Sequence, residues 1–432
     1  MKDWKTSTLG ELTTFLGRGK SPVYADENDV NTMPVLNQAC VQNGRLDLGK
    51  LKSVTKRFWD SLPDERRLQK GDVLINSTGT GTLGRLGFWK GALEAAFDGH
   101  VTVLRFPEEH CSQFFYHLLS TETCRSIIEG ECTSGSTNQV ELLREQLRRM
   151  VLKHPVHKDT QATIAETLSM LDNAIEQTEA LLAKQQRIKT GLMHDLLTRG
   201  LDAQGRLRDP STHRFKKSPL GLIPEEWEVA IVASLCSVIV DCPHTTPRYE
   251  DDGIPCIRTA DMLPGVLMLD RAFRVSLHTY QDRIARLRPE IGDIIYSREG
   301  ERLGIASPVG NETVCLGQRV MLLRPTPDTN PTFLMWAMNS PDFYNRVTRD
   351  QIATTSPHVN VRDIKVSLVA TPSSREQKLI GAALASDDAA ASKLVTQLTK
   401  HRRLKTGLMH DLLTGRVAVT PLLGGKKGQA KD

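Results

Sequence analysis

No apolar run in this chain is long enough to cross a bilayer. The longest apolar-leaning stretch, Val229 to Val240, is interrupted by serines and falls far short of the ~20 residues a spanning helix needs. The start, Met1-Lys2-Asp3-Trp4-Lys5, is polar and has no apolar h-region behind it, so no secretory leader is expected and the chain reads as cytoplasmic. Cysteine is sparse and scattered, at 40, 111, 124, 132, 236, 242, 256 and 315. No two form a Cys-x-x-Cys pair, which sets aside a zinc ribbon or a thioredoxin-type site and leaves reduced, mostly buried thiols. A His-Glu-x-x-His motif, a nucleophile elbow and a metal-binding nuclease constellation are all missing. Neither sign of charge dominates: 56 Lys and Arg stand against 51 Asp and Glu. That mildly basic balance permits nucleic-acid binding without establishing it.

What is present is a repeat. The ten residues Lys-Thr-Gly-Leu-Met-His-Asp-Leu-Leu-Thr run from Lys189 to Thr198 and again, unchanged, from Lys405 to Thr414, an offset of 216 in a chain of 432. Upstream, Gln161-Ala-Thr-Ile164 and Gln377-Lys-Leu-Ile380 keep the same offset. Apolar residues then follow at Ile164, Leu168, Leu171, Ile175 and Leu182, and in the second copy at Ile380, Leu384, Ala391, Leu394 and Leu398. Their 4-3-4 spacing marks a coiled-coil seam. Asp387 stands where Leu171 stands in the first copy, which predicts a polar layer or a shifted register. Each helix is expected from about Lys158 or Arg375 to Thr198 or Thr414, roughly 60 Å at ~1.5 Å per residue. Prolines 155 and 372 precede them and Gly200 and Gly415 follow, as start and stop signals. So narrow an apolar stripe is not stable alone in water. Two equivalent helices in one chain are expected to pair with each other, antiparallel.

The segments before the helices echo each other more faintly. Gly71-Asp-Val-Leu-Ile-Asn76 matches Gly292-Asp-Ile-Ile-Tyr-Ser297, and Met33-Pro-Val-Leu-Asn37 matches Ile254-Pro-Cys-Ile-Arg258. These short, Gly-bounded, β-rich stretches make each half a mixed α/β globule. The expected fold is therefore α+β: two such globules, each followed by a long helix, with pseudo-twofold symmetry. The segments are 1–157 and 227–373 for the globules, 158–199 and 374–415 for the helices, 200–226 for a connector and 416–432 for a flexible tail.

These residues resemble the specificity subunit of type I DNA restriction–modification enzymes over nearly the whole chain. The twin helix ends carry the likeness most strongly. Ser218-Pro-Leu-Gly-Leu-Ile-Pro-Glu-Glu-Trp227, its counterpart Trp4 with Leu9-Gly-Glu-Leu12, and Asp241-Cys-Pro-His-Thr-Thr-Pro247 add to it. The resemblance implies two target-recognition domains, each reading one half of a split double-stranded DNA target. It implies paired helices that set the gap and dock two methyltransferase subunits, and through them restriction subunits. The chain itself would be non-catalytic and carry no cofactor or metal, with S-adenosylmethionine, ATP and Mg on the partner subunits. Leu192, Met193, His194 and Leu196, with Leu408, Met409, His410 and Leu412, become candidates for partner docking. Two equivalent surfaces for two copies of one partner give the identical helix ends a reason. The alternative is a coiled-coil scaffold that joins two protein-binding globules and reads no DNA.

Rival motifs are weaker. Gly79-Thr-Gly-Thr-Leu-Gly84 fits a dinucleotide fingerprint, yet its counterpart Glu299-Gly-Glu-Arg-Leu-Gly304 loses the spacing and no amphipathic helix is expected after Gly84. Gly17-Arg-Gly-Lys-Ser21 resembles the end of a Walker A loop, but Thr14 replaces its first glycine. No Pro-Pro pair exists anywhere, so the Asn/Asp-Pro-Pro-aromatic loop of an adenine-N6 methyltransferase is missing. His194 and His410 read as polar contacts of one repeated helix surface.

Base reading in the major groove needs Arg, Lys, Asn, Gln, Ser, Thr or His on loops that reach base edges. The first half offers Arg18, Lys20 and Ser21; Asn37 and Gln38; Ser77, Thr78, Thr80 and Arg85; and Ser136, Thr137 and Asn138. The second offers His244, Thr245, Thr246 and Arg248; Arg258 and Thr259; Arg298, Glu299 and Arg302; and Thr354, Thr355, Ser356 and His358. His100 and the pair Gln318 and Arg319 join them. Each alone reads equally as a polar side chain facing water; the matched enrichment is the signal. The basic run Arg144 to Lys158 reads as a solvated face or a flank for the DNA gap.

Overall fold

The computed structural model describes residues 3–26, 29–42, 44–79, 81–135, 140–300, 302–349 and 358–419. The chain divides into two units: Met1–Thr178 with Gln397–Asp432, and Glu179–Thr396. Each unit thus holds one globule, half of one long helix and half of the other.

In the first unit the strand Val73–Asn76 lies inside a four-stranded antiparallel sheet, in the order Phe15–Arg18, Val101–Arg105, Val73–Asn76, Leu86–Phe88. Every residue of Val73–Asn76 is buried, as expected of a strand covered on both faces. Alternation sorts the side chains. Val73 and Ile75 join Phe114, Phe115, Leu119 and Ile164 in one core. Leu74 joins Val101, Val103, Trp89 and Phe97 in another. The second unit repeats the plan, with strands Cys236–Asp241, Val320–Pro325, Ile294–Ser297 and Ala306–Pro308 in the same order. There Ile294 and Tyr296 face the core that holds Trp336 and Ile380, and Ile295 faces Val320 and Leu322. A smaller three-stranded sheet flanks each: Lys52–Thr55, Thr32–Leu36 and Ala96–Phe97 in one unit, and Phe273–Val275, Ile254–Ile257 and Cys315–Leu316 in the other. The first and last strands of each globule pair antiparallel, Trp4↔Pro155 through Thr8↔Val151 and Glu228↔Thr371 through Ile231↔Leu368. That closure delivers the chain to the start of its long helix.

The long helices span Lys158–Thr198 and Ser374–Leu413, within a residue of the expected ends. Matched glutamines fix both starts. Gln161 donates to the carbonyl of Pro155 (2.8 Å) and accepts from the amide of Cys111 (2.8 Å). Gln377 donates to Pro372 (3.0 Å) and accepts from Asn330 (2.8 Å). Gly200 and Gly415 end the helices with φ of 62° and 72°, the left-handed stop that glycine accepts without a Cβ penalty. Each packs against the entry tryptophan of its unit. A Cβ would meet Trp227 Cζ2 at 2.2 Å from Gly200, and Trp4 Cε2 at 2.9 Å from Gly415.

The helices pair antiparallel, because each unit joins the first half of one to the second half of the other. Ile164 and Leu168 are buried in the first unit's core beside Leu412 and Leu413. Ile380 and Leu384 are buried in the second beside Met193 and Leu196. Leu171, Ile175, Leu182, Ala391 and Leu394 are half-buried along the pair, and Leu398 is buried. The polar layer expected at Asp387 is present: Gln185 donates to its Oδ1 at 2.6 Å.

Residues 200–226 hold a tight structure of their own. Phe215–Ser218 and Gly221–Pro224 form a hairpin. Arg208, 5% exposed, donates to Glu376 through both terminal amines, and Trp227 Nε1 donates to the same carboxylate at 3.1 Å. Seven of the eight cysteines are buried, Cys111 is half-buried, and all are free. The flexible tail assigned to 416–432 lies, from residue 420 on, outside the described residues. Among the described residues, no helix is long and apolar enough to cross a membrane.

Candidate nucleic-acid interface

Each unit builds a polar edge from equivalent backbone. Where Val73–Asn76 runs out, the amide of Ser77 donates to the carbonyl of His100 (2.8 Å), and the amide of Leu142 donates to the carbonyl of Ser77 (2.8 Å). At the same place in the second unit, the amide of Arg298 donates to Arg319 (3.0 Å), and that of Val359 to Arg298 (2.8 Å). Isolated antiparallel bridges join Thr78 to Glu141 and Glu299 to His358. Thr78, His100 and Glu141 therefore occupy the positions of Glu299, Arg319 and His358.

The side chains at these positions touch. Thr78 Oγ1 lies 2.7 Å from Nδ1 of His100 and 3.3 Å from Oε1 of Gln38, to which it donates. Arg18 reaches Glu141 at 3.5 Å and donates to Gly99 O at 3.0 Å. In the second unit Glu299 pairs with Arg319 at 3.4 Å and with Arg298 at 3.0 Å. Arg298 also donates to Asp241 (3.0 Å), whose other oxygen lies 3.2 Å from His244 Nε2. Gln318 donates to Thr246 Oγ1 at 2.9 Å. Beside the first edge, Lys52 lies 4.4 Å over the ring of Tyr24. The Tyr24 hydroxyl donates to Asp98 at 3.4 Å, and burial pushes the pKa of both groups up.

Several sequence candidates are tied to internal work. Asn37 is buried, donating to Lys50 O (2.9 Å) and accepting from the amide of Ala39 (2.8 Å). Ser77 is buried against Thr102 at 2.6 Å. Arg298 is buried in the ion pairs just described. Arg258 forks onto Asp261 with two 3.0 Å bonds, which raise its pKa, and stacks 3.6 Å from the Phe273 centroid. Arg302 donates to Ala260 and Met262 carbonyls at 3.0 and 2.9 Å, and Arg85 to Gly81 O at 2.8 Å. Thr259 opens the short turn that holds Asp261. Thr245 gives its carbonyl to Arg283. Lys20, Ser21, His244, Thr246 and Arg248 are exposed. Thr80, Ser136, Thr137, Asn138, Thr354, Thr355 and Ser356 lie outside the described residues.

Glu141 is the residue that sequence reasoning passed over. Of the acidic residues only Glu299 is among the sequence candidates, although a carboxylate accepts from the amino group of cytosine as an Arg donates to guanine. Its signal is positional: it stands at the counterpart of His358.

The glycine turn at Gly79 to Gly84 leads into a strand, not a helix. Gly79, Gly81 and Gly84 have positive φ, and a Cβ on Gly79 would meet Thr82 Oγ1 at 2.4 Å and Gln38 Oε1 at 3.0 Å. The strand Leu86–Phe88 follows it, where a dinucleotide site needs a helix N-terminus. Among the described residues no cluster of His, Cys, Asp and Glu is arranged for a metal ion.

The repeated helix ends divide between buried and exposed positions. Met193, Leu196 and Leu412 are buried in the units' own cores. Leu192, Leu408 and Met409 are half-buried, and His194 and His410 are exposed. His194 lies 3.7 Å from Asp342. The exposed face of the repeat is therefore narrower than its ten identical residues.

Residues 1–185 match the family described as the type I restriction modification DNA specificity domain. The MjaVIII specificity subunit of a type I restriction enzyme from Methanocaldococcus jannaschii is 21% identical, covering 98% of this chain and 94% of that protein. The putative MjaX specificity subunit from the same organism is also 21% identical, over 97% and 94%. A crystal structure of a type I restriction–modification system S subunit from M. genitalium shares the fold, with a TM-score of 0.63 at 15% identity over 95% of this chain and 96% of that one. The first 185 residues thus match the type I specificity domain, and along nearly its whole length the chain is similar to type I restriction enzyme specificity subunits.

Proposed function

We propose that this chain is the DNA-recognition subunit of a type I restriction–modification complex. Each unit reads one half of a split double-stranded target. The helix ends dock two methyltransferase subunits and, through them, restriction subunits. The chain contributes recognition, not catalysis; S-adenosylmethionine, ATP and Mg belong to the partner subunits.

One observation carries this reading. Two units of one backbone plan present different polar side chains at the same edge, Thr78, His100 and Glu141 against Glu299, Arg319 and His358, while their helix ends are identical over ten residues. A divergent face beside a constant one is what two different DNA half-sites and one repeated partner demand. Arg18 pairs with Glu141 at the first edge and Lys20 bridges to Asp98 beside it, where phosphate contacts would set register.

The test is co-expression with the modification subunit from the same genome, followed by mapping of methylated adenines by single-molecule sequencing. A split motif is expected, altered in one half only when residues 1–157 are exchanged for another such domain. A stable complex with a competent modification subunit that methylates nothing would reject DNA reading and favour a protein-binding scaffold.

A further inference from the structure

Resting on that reading, we infer that the pair of side chains bridging the two strand ends, Thr78 with His100 in one unit and Glu299 with Arg319 in the other, is the base-reading element of each half-site. In the second unit it reads a G·C pair.

The placement is equivalent to the level of single hydrogen bonds. Both pairs join the residue after the buried first position of the turn (Ser77, Arg298) to the residue before the inner strand (Val101, Val320). In both, one member is half-buried (Thr78, Glu299) and the other exposed (His100, Arg319). The backbone is held rigidly from both sides by the same amide–carbonyl bonds, so exchanging side chains there changes the chemistry presented and not the scaffold. A structural pair would be expected to keep its chemistry between two copies of one plan. The structural pair at the opposite end of the same two strands does: Arg105 with Asp72 recurs as Arg324 with Asp293, each a two-bond fork of 2.7–2.9 Å. The edge pair does not.

Arg319 carries a second mark. Its φ is 65°, a left-handed conformation that only one other non-glycine residue, Asn31, adopts among the described residues. Such strain is kept where the surroundings over-determine it and collects at functional positions. Glu299 engages the guanidinium at Nε, 3.4 Å away. That contact orients the terminal amines, the donors that O6 and N7 of guanine accept in the major groove. Glu299 itself can accept from the amino group of the paired cytosine.

The experiment uses the complex of the full chain with its modification subunits, and duplexes carrying the wild-type motif or each single-base change. Arg319→Gln is expected to lower discrimination by about tenfold to a hundredfold at one base pair of one half-site, leaving the other half intact. Arg319→Lys should fail at the same position, since it keeps the charge but loses the fork. Transplanting the first unit's pair, Glu299→Thr with Arg319→His, should change the base preferred there. An unchanged motif in all three variants overturns the assignment. So does a uniform loss across all sequences, rescued by Arg319→Lys and accompanied by a shallower salt dependence, because that is the behaviour of a phosphate contact. A wild-type complex with no split motif would reject DNA reading itself, a result distinct from either.

Discussion

Lys189 lies over the indole ring of Trp336, its ammonium nitrogen 4.3 Å from the ring centroid, and forms an ion pair with Asp388 on the other helix. The second copy of this lysine, Lys405, pairs with Asp172 in the first unit, and Asp172 faces His117 at 3.8 Å. The first residue of the ten-residue repeat therefore latches one long helix to the other in each unit. Lys189 and Asp388 are only about a fifth exposed, so both the pair and the cation–π contact are partly shielded from water. Lys189→Ala is expected to cost about 1–2 kcal/mol, read as a lowered urea midpoint.

His117 makes the first unit sensitive to acid. It is 1% exposed, with Nε2 2.9 Å from Ser169 Oγ. Burial pushes its pKa down to about 4, against a smaller upward pull from Asp172 and with a lesser downward push from Lys405. The folded state keeps the ring neutral where the unfolded chain takes a proton. The stability this contributes is fully present above about pH 6.5 and is lost as pH falls through about 4. It amounts to about 3 kcal/mol. Urea midpoints measured from pH 7 to 4 should fall along that window, and His117→Gln should flatten the slope.

Gly191 and Gly407 stand at the same place in the repeat, inside a helix, where a Cβ would meet nothing within 4 Å. A helix-interior glycine costs roughly 0.5–1 kcal/mol relative to alanine. Gly191→Ala with Gly407→Ala should therefore raise the thermal midpoint of the isolated chain. If the docking face of the proposed function includes these positions, the same change weakens the complex with the modification subunit, as a titration would show. Unchanged affinity would move the docking face elsewhere.

Glu376 gathers Arg208, Trp227 and the amide of Leu201 onto one buried carboxylate. Removing its charge leaves Arg208 with Glu226 at 2.9 Å as its remaining counter-charge. Glu376→Gln is expected to cost about 3 kcal/mol and to open residues 200–226 to limited proteolysis, with cleavage there as the readout.

Much of this was legible in the sequence because it is local or repeated. The 4-3-4 spacing, the offset of 216 and the Pro and Gly boundaries report helical faces and ends, which depend on neighbours a few residues away. Val73-Leu-Ile-Asn76 and Ile294-Ile-Tyr-Ser297 announce central strands through continuous burial-prone residues. The resemblance of the helix ends pointed to the family because identical surfaces leave identical residues.

Only the tertiary structure decided which of those residues remain available. Asn37, Ser77 and Arg298 look like readers in sequence, but long-range partners at Lys50, Thr102 and Asp241 claim their polar atoms. Met193, Leu196 and Leu412 look like a docking face but fill cores contributed by distant segments. The spare acid Glu141 becomes part of the edge only because a bridge to Thr78 brings it there. Periodicity specifies which way a side chain points from its own element. What it meets is fixed by contacts with segments tens to hundreds of residues away, and no local pattern encodes those.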